Sequence, residues 1–140
     1  MVYNNFTLPG CISKISPSLR RFCKMKGAGL GLQTTPKLDV SSLDPIQELM
    51  PDLLVVLDVA IISQEFLDKI SVPVLWFDHH PLVERRKVHY YNPRKNNPGD
   101  NRPTSALAFA IAENDLWIAT VGAVSDWYLP DFLGVLYQYR

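Results

Sequence analysis

The sequence predicts an α/β fold, a Rossmann-like parallel sheet flanked by helices, and three observations lead there. Two continuous apolar runs, Asp52 to Asp58 (DLLVVLD) and Val72 to Phe77 (VPVLWF), have the branched, unalternating composition of strands buried on both faces of a parallel sheet. Between them, Ser63 opens a short helix reaching Ile70, with Glu65 and Asp68 on its polar side and Phe66 and Leu67 inward. Strand, helix, strand is a βαβ unit, whose crossover is almost always right-handed.

Taken in order, residues 1–15 show no periodicity and are expected to be irregular, leaving 16–140 as the domain. Leu19, Phe22, Cys23 and Met25 to Lys26 suggest a helix with a basic face, ended by Gly27 and Gly29, with a short strand over 29–34. Ser42, Asp44 and Pro45 read as a second helix start, Ile46, Leu49 and Met50 as its apolar side, and Pro51 as its stop. After the βαβ unit, Val88 to Tyr91 is a third, shorter strand, and Asn92 to Pro103 a loop rich in Asn, Pro and Gly. Thr104 is expected to cap an alanine-rich helix from Ser105 to Asn114. A second apolar helix, Leu116 to Ser125, follows it, and an amphipathic one runs from Pro130.

At 140 residues the chain is one domain at most, or part of one, and is long enough to bury a single core. Fourteen basic residues balance fourteen acidic ones, so anion binding must be local rather than driven by a global field. The two cysteines, Cys11 and Cys23, read as free thiols in a reducing, cytoplasmic setting. The longest apolar run, Leu53 to Ile62, contains Asp58 and is too short for a membrane span.

The chemistry concentrates at strand ends. Asp58 ends one apolar run and Asp78 the next, and the carboxyl ends of parallel strands border the crevice where ligands bind. Carboxylates there need a cation or a donor to pair them. His79 and His80 share that mouth, and carboxylate with imidazole suits manganese, iron or zinc better than calcium. Adjacent residues leave a strand in different directions, so one histidine can bind a metal while the other faces substrate. Asp126 follows the apolar helix VGAVSD, which would return it toward the same site. Singly, each of these residues reads as a turn or cap; together they read as a hydrolytic metal centre.

These stretches, Leu54 to Asp58, Phe77-Asp-His-His80, Asn92-Pro93 and Val121 to Asp126, in this order, resemble the DHH phosphoesterases, closest to the archaeal-type RecJ-like branch. The likeness covers residues 34–133. It implies a partial DHH domain that hydrolyses phosphodiester or phosphoanhydride bonds with two manganese ions. Asp58 would bridge the two ions, His79 would ligate one of them and Asp126 would complete its shell. Asp78 would be a ligand or the acceptor orienting a histidine. His80 would be the catalytic contact to the scissile phosphate. Arg102, Thr104 and Ser105, at a helix start, would cradle the substrate phosphate.

The family also has an N-terminal His-x-Asp-x-Asp-Gly type motif and a C-terminal substrate domain. This chain has no histidine before His79, and it stops at Arg140. One Mn2+ site is therefore expected to be retained, the second to lose most of its ligands, and activity to be weak. The expected partner is single-stranded nucleic acid or a nucleotide. The alternative is a silent scaffold held by a replication or repair protein, with no membrane in either case. Arg85, Arg86, Lys87, Arg94, Lys95 and Arg102 can track a nucleic-acid backbone or form a solvated face. His89 reads as structural. The aromatics Trp127, Tyr128, Phe132, Tyr137 and Tyr139 read as base-stacking groups, as core, or as an uncovered interface.

Overall fold

A computed structural model describes residues 37–112 and 116–131. The irregular stretch 1–15, the helix and strand expected over 19–34, residues 113–114 and nearly all of the helix expected from Pro130 lie outside them. The chain forms β1 (Lys37–Leu38), a 3-10 turn (Val40–Ser42) and α1 (Leu43–Gln47). β2 (Leu54–Leu57), β3 (Ile61–Ile62), α2 (Gln64–Lys69), β4 (Val74–Phe77) and β5 (His89–Tyr91) follow. A second 3-10 turn (Pro93–Lys95) precedes α3 (Thr104–Ala112) and α4 (Leu116–Ser125). The main sheet has the order β2-β4-β5 and is parallel throughout, while β1 and β3 make a separate parallel pair.

The register sets Leu54 against Val74 and Leu57 against Phe77, then Trp76 against Tyr90. Burial alternates along β2 and β4. Leu54, Val56, Val74 and Trp76 are buried, whereas Val55, Leu57, Leu75 and Phe77 are only partly covered. The expectation of equal burial on both faces is corrected accordingly: one face packs fully and the other keeps partial access. The packed face meets Leu43 and Ile46 of α1 and Phe66 and Leu67 of α2, with Leu38 and Ile62 of the small sheet in the same core.

Local chemistry explains the boundaries. Asp39, not Ser42, opens the first helical region, its carboxylate accepting from Ser41 N at 3.1 Å and Ser41 Oγ at 2.7 Å. Met50 is 86% exposed, so it leaves the apolar side expected of α1. The helix has ended at Gln47, and Met50, which precedes a proline and is disfavoured in helical geometry, turns at φ 46°. Ser63 caps α2 by accepting from Phe66 N at 3.2 Å, and its own N–H reaches Leu38 O at 2.9 Å. Ser63→Ala is expected to cost about 1 kcal/mol, read as a lower urea midpoint at unchanged slope.

No helix joins β4 to β5. Residues 81–88 are instead pinned across α2 and β3. The Gln64 side-chain amide accepts from Arg86 N at 3.0 Å and donates to Arg86 O at 3.3 Å, while Arg85 Nε donates to Ile62 O at 2.5 Å. Lys87 Nζ lies 3.6 Å from Asp68. All three residues of the basic run thus have structural partners, Arg85 and Lys87 through their side chains and Arg86 through its backbone. α3 and α4 pack on each other at a small-residue contact, where a Cβ on Gly122 would come within 2.7 Å of Ser105 Cβ. Among the described residues, no helix is long and apolar enough to cross a membrane.

Candidate metal centre

All three strands of the main sheet end in a polar residue, and the sheet order brings those ends side by side. Asp58 follows β2 and donates its N–H to Phe77 O at 3.0 Å; Asp78 follows β4 and donates to Tyr91 O at 3.1 Å; Asn92 follows β5. The ladder therefore runs on past the apolar segments and fixes the backbone from which the polar side chains project.

Asp58 turns sharply there, with φ 61°. Its Oδ1 lies 3.3 Å from His79 Nε2 and accepts from Thr104 Oγ1 at 3.0 Å. His79 is raised above the ordinary imidazole value of 6.5, first by the Asp58 hydrogen bond and further by the charges of Asp58, Asp126 and Asp78, against the opposing effect of burial. Protonated His79 therefore stabilises the metal-free fold below pH 6.5, and that contribution disappears as pH rises through the raised value. A metal ion competes for the same nitrogen. Its affinity is expected to strengthen over that pH window with release of a proton, measurable by titration calorimetry in buffers of different ionisation heat.

Asp78 is wholly buried, and both its oxygens serve the histidine two residues on. Oδ1 lies 2.6 Å from His80 Nδ1, and Oδ2 accepts from His80 N at 3.1 Å. A carboxylate that accepts the hydrogen bond from Nδ1–H leaves Nε2 with a free lone pair, the state a metal-ligating histidine needs. Behind them, the buried Asn92 amide donates to His80 O at 2.9 Å and to Tyr90 Oη at 2.8 Å, and Asn92 Oδ1 accepts from Arg94 N at 3.0 Å. Tyr90 stacks on Trp76 with ring centroids 3.9 Å apart, and Trp76 Nε1 donates to Val59 O at 2.8 Å. Both halves of the site thus rest on one aromatic pair. Burial, and secondarily the Asp78 charge, raises the Tyr90 phenol and keeps it neutral.

Asp58, His79 and His80 offer ligand atoms that all lie within 4.8 Å of one another. Opposite ligands bonded at about 2.1 Å to one ion are roughly 4.2 Å apart, so small side-chain rotations suffice to close the set. One carboxylate and two imidazoles, with one imidazole already oriented from behind, fit a divalent first-row ion.

The predicted site residues fall into two groups. Asp58, His79 and His80 come together. Asp78 stands behind His80, and Asp126 lies outside the triad but within electrostatic reach of His79. Thr104 is the first residue of α3 rather than its cap: Pro103 O accepts from Ala106 N and Leu107 N, and the Thr104 hydroxyl goes to Asp58. Arg102 makes a two-toothed ion pair with Asp100, its Nη2 at 2.7 Å and its Nε at 3.0 Å. The Ser105 hydroxyl is buried at the α3–α4 contact with no hydrogen-bond partner. His89 begins β5, at the end of the strand away from the site, and is exposed. Sequence reasoning overlooked Asn92 and Trp76 as supports. The signal for Asn92 was present, since the third strand ends in a polar residue exactly as the other two do.

No protein-family model, no curated protein and no solved structure matches the chain.

Proposed function

We propose that the chain is a metal-dependent phosphoesterase domain of the DHH type, using Mn2+ to hydrolyse phosphodiester bonds in single-stranded nucleic acid or nucleotides. The observation that carries this reading is the Asp58–His79–His80 triad with a buried carboxylate 2.6 Å behind His80. A bound divalent ion would acidify a water and polarise a phosphoryl oxygen. The chain's own residues have distinct tasks. Thr104 holds one oxygen of Asp58, Asp78 fixes the tautomer and direction of His80, and Asn92 locks the His80 carbonyl. His80 is 39% exposed at its side chain, so it is the member best placed to meet a substrate phosphate.

A second reading, a silent DHH scaffold for a replication or repair protein, is favoured by one observation. Arg102 is ion-paired, the Thr104 hydroxyl is bonded to Asp58 and the Ser105 hydroxyl is buried, so all three groups expected to cradle phosphate have other surroundings. Calorimetric titration with Mn2+ and cleavage of bis-p-nitrophenyl phosphate separate the readings. The wild type is expected to bind one ion, with binding lost in Asp58→Ala and His79→Ala and weakened in His80→Ala, and to show weak Mn2+-dependent cleavage that each of the three variants removes. Equal binding by all variants would refute the site. Binding without any cleavage would leave the scaffold.

A further inference from the structure

Neither α3 nor α4 carries a charged residue, and the solvent face of α4 is as apolar as its packed face. The sequence LWIATVGAVS contains no charged residue. Ala119, Gly122 and Ala123 turn inward, and Ala123 is wholly buried. On the opposite side, Trp117, Val121 and Val124 are 61%, 62% and 48% exposed. Their spacing of four and then three residues is that of a heptad seam, the pattern by which two helices interlock. A helix that is hydrophobic all round belongs in the interior of a structure, and the described residues cover only one side of this one.

The end of α4 extends the same feature. Tyr128 N bonds Ala123 O and Trp127 N bonds Val124 O, which is a Schellman closure. It places Trp127 at φ 57°, where glycine is the unstrained choice. Trp127 is nevertheless 96% exposed, and Leu129 beyond it is 77% exposed. A large aromatic in a strained position, with its ring in water, gains nothing from the described residues of its own chain.

We propose that the chain self-associates as a two-fold dimer through this α4 face, Trp117, Val121 and Val124 meeting their counterparts and Trp127 flanking the seam. Two features select a second copy as the occupant. First, two tryptophans and three aliphatic side chains supply on the order of 700 Å2 per copy, close to what one partner gives to a stable specific interface. Second, an uncharged face is its own complement across a two-fold axis, and the zero formal net charge of the chain sets up no repulsion between copies.

Sedimentation velocity on the full chain tests this. The wild type is expected to shift from monomer to dimer with concentration. Val121→Glu and Val124→Glu are expected to weaken association at least 100-fold while keeping the wild-type far-ultraviolet circular dichroism and Mn2+ binding, because both positions are exposed and outside the metal centre. As a check independent of those variants, Val121→Cys in a Cys11→Ser, Cys23→Ser background is expected to cross-link under diamide, and Lys95→Cys in the same background is not. A monomer at every concentration, a dimer indifferent to both glutamates, or equal cross-linking at 121 and 95 would each overturn the proposal.

Discussion

Trp76→Ala is expected to destabilise the fold by about 3–5 kcal/mol, the range for emptying a large aromatic site in a packed core. The ring is wholly buried, stacks on Tyr90 at 3.9 Å, and donates to Val59 O at 2.8 Å. Small domains have roughly 5–15 kcal/mol of total stability, so this variant loses a large part of it. Trp76→Phe separates the two contributions. It keeps most of the packing but leaves the Val59 carbonyl without its donor, at an expected cost of about 1–3 kcal/mol. Denaturant unfolding of the three proteins gives both numbers. If Phe costs as much as Ala, the N–H bond rather than the ring carries the position. Because Val59 adjoins Asp58, Trp76→Phe is also expected to weaken Mn2+ binding in protein that remains folded.

Asp78→Asn is expected to lower Mn2+ affinity by about 10–100-fold, the usual effect of losing the carboxylate behind a ligating histidine. The aspartate accepts with both oxygens, one from the His80 ring and one from the His80 backbone. An amide of the same shape has one accepting oxygen, so one of those donors must face an NH2 group. The ring is then free to rotate or to change tautomer, and the lone pair at Nε2 is no longer assured. Asp68→Asn, at an exposed position on α2, serves as the control and is expected to bind as the wild type does. Calorimetry that gave Asp78→Asn the wild-type affinity would remove His80 from the ligand set.

The parallel α/β character was readable because it rests on local signals, the two apolar runs and the serine-capped helix between them. The Ile61–Ile62 strand was not readable, since two residues carry no period and its partner, Lys37–Leu38, is equally short. The meeting of Asp58 with His79 and His80 was inferred from strand ends, and the β2-β4 adjacency brings it about. Thr104 is expected to cap α3 because a threonine at a helix start ordinarily bonds the helix itself. Here the Asp58 carboxylate, 46 positions earlier in the chain, takes that hydroxyl, a contact that no local pattern encodes. Arg102 is held by Asp100, only two residues away, a local ion pair that the search for distant ligands passes over.

The left-handed turn at Asp58 also limits which letters that position can hold. At φ 61° a side chain pays a steric penalty that asparagine and aspartate bear lightly and glycine escapes, whereas longer or branched residues do not. Of the two acidic amino acids, then, the shorter is the better suited to the backbone, although Met50, Lys87 and Trp127 show that longer side chains can occupy such a turn at a cost. A glutamate would retain the charge yet distort the turn that aims it. A saturation library at this codon, sorted for folded protein, should be enriched in glycine, asparagine and aspartate. Sorted for retained metal, it should return aspartate alone, so the backbone narrows the choice before any ion does.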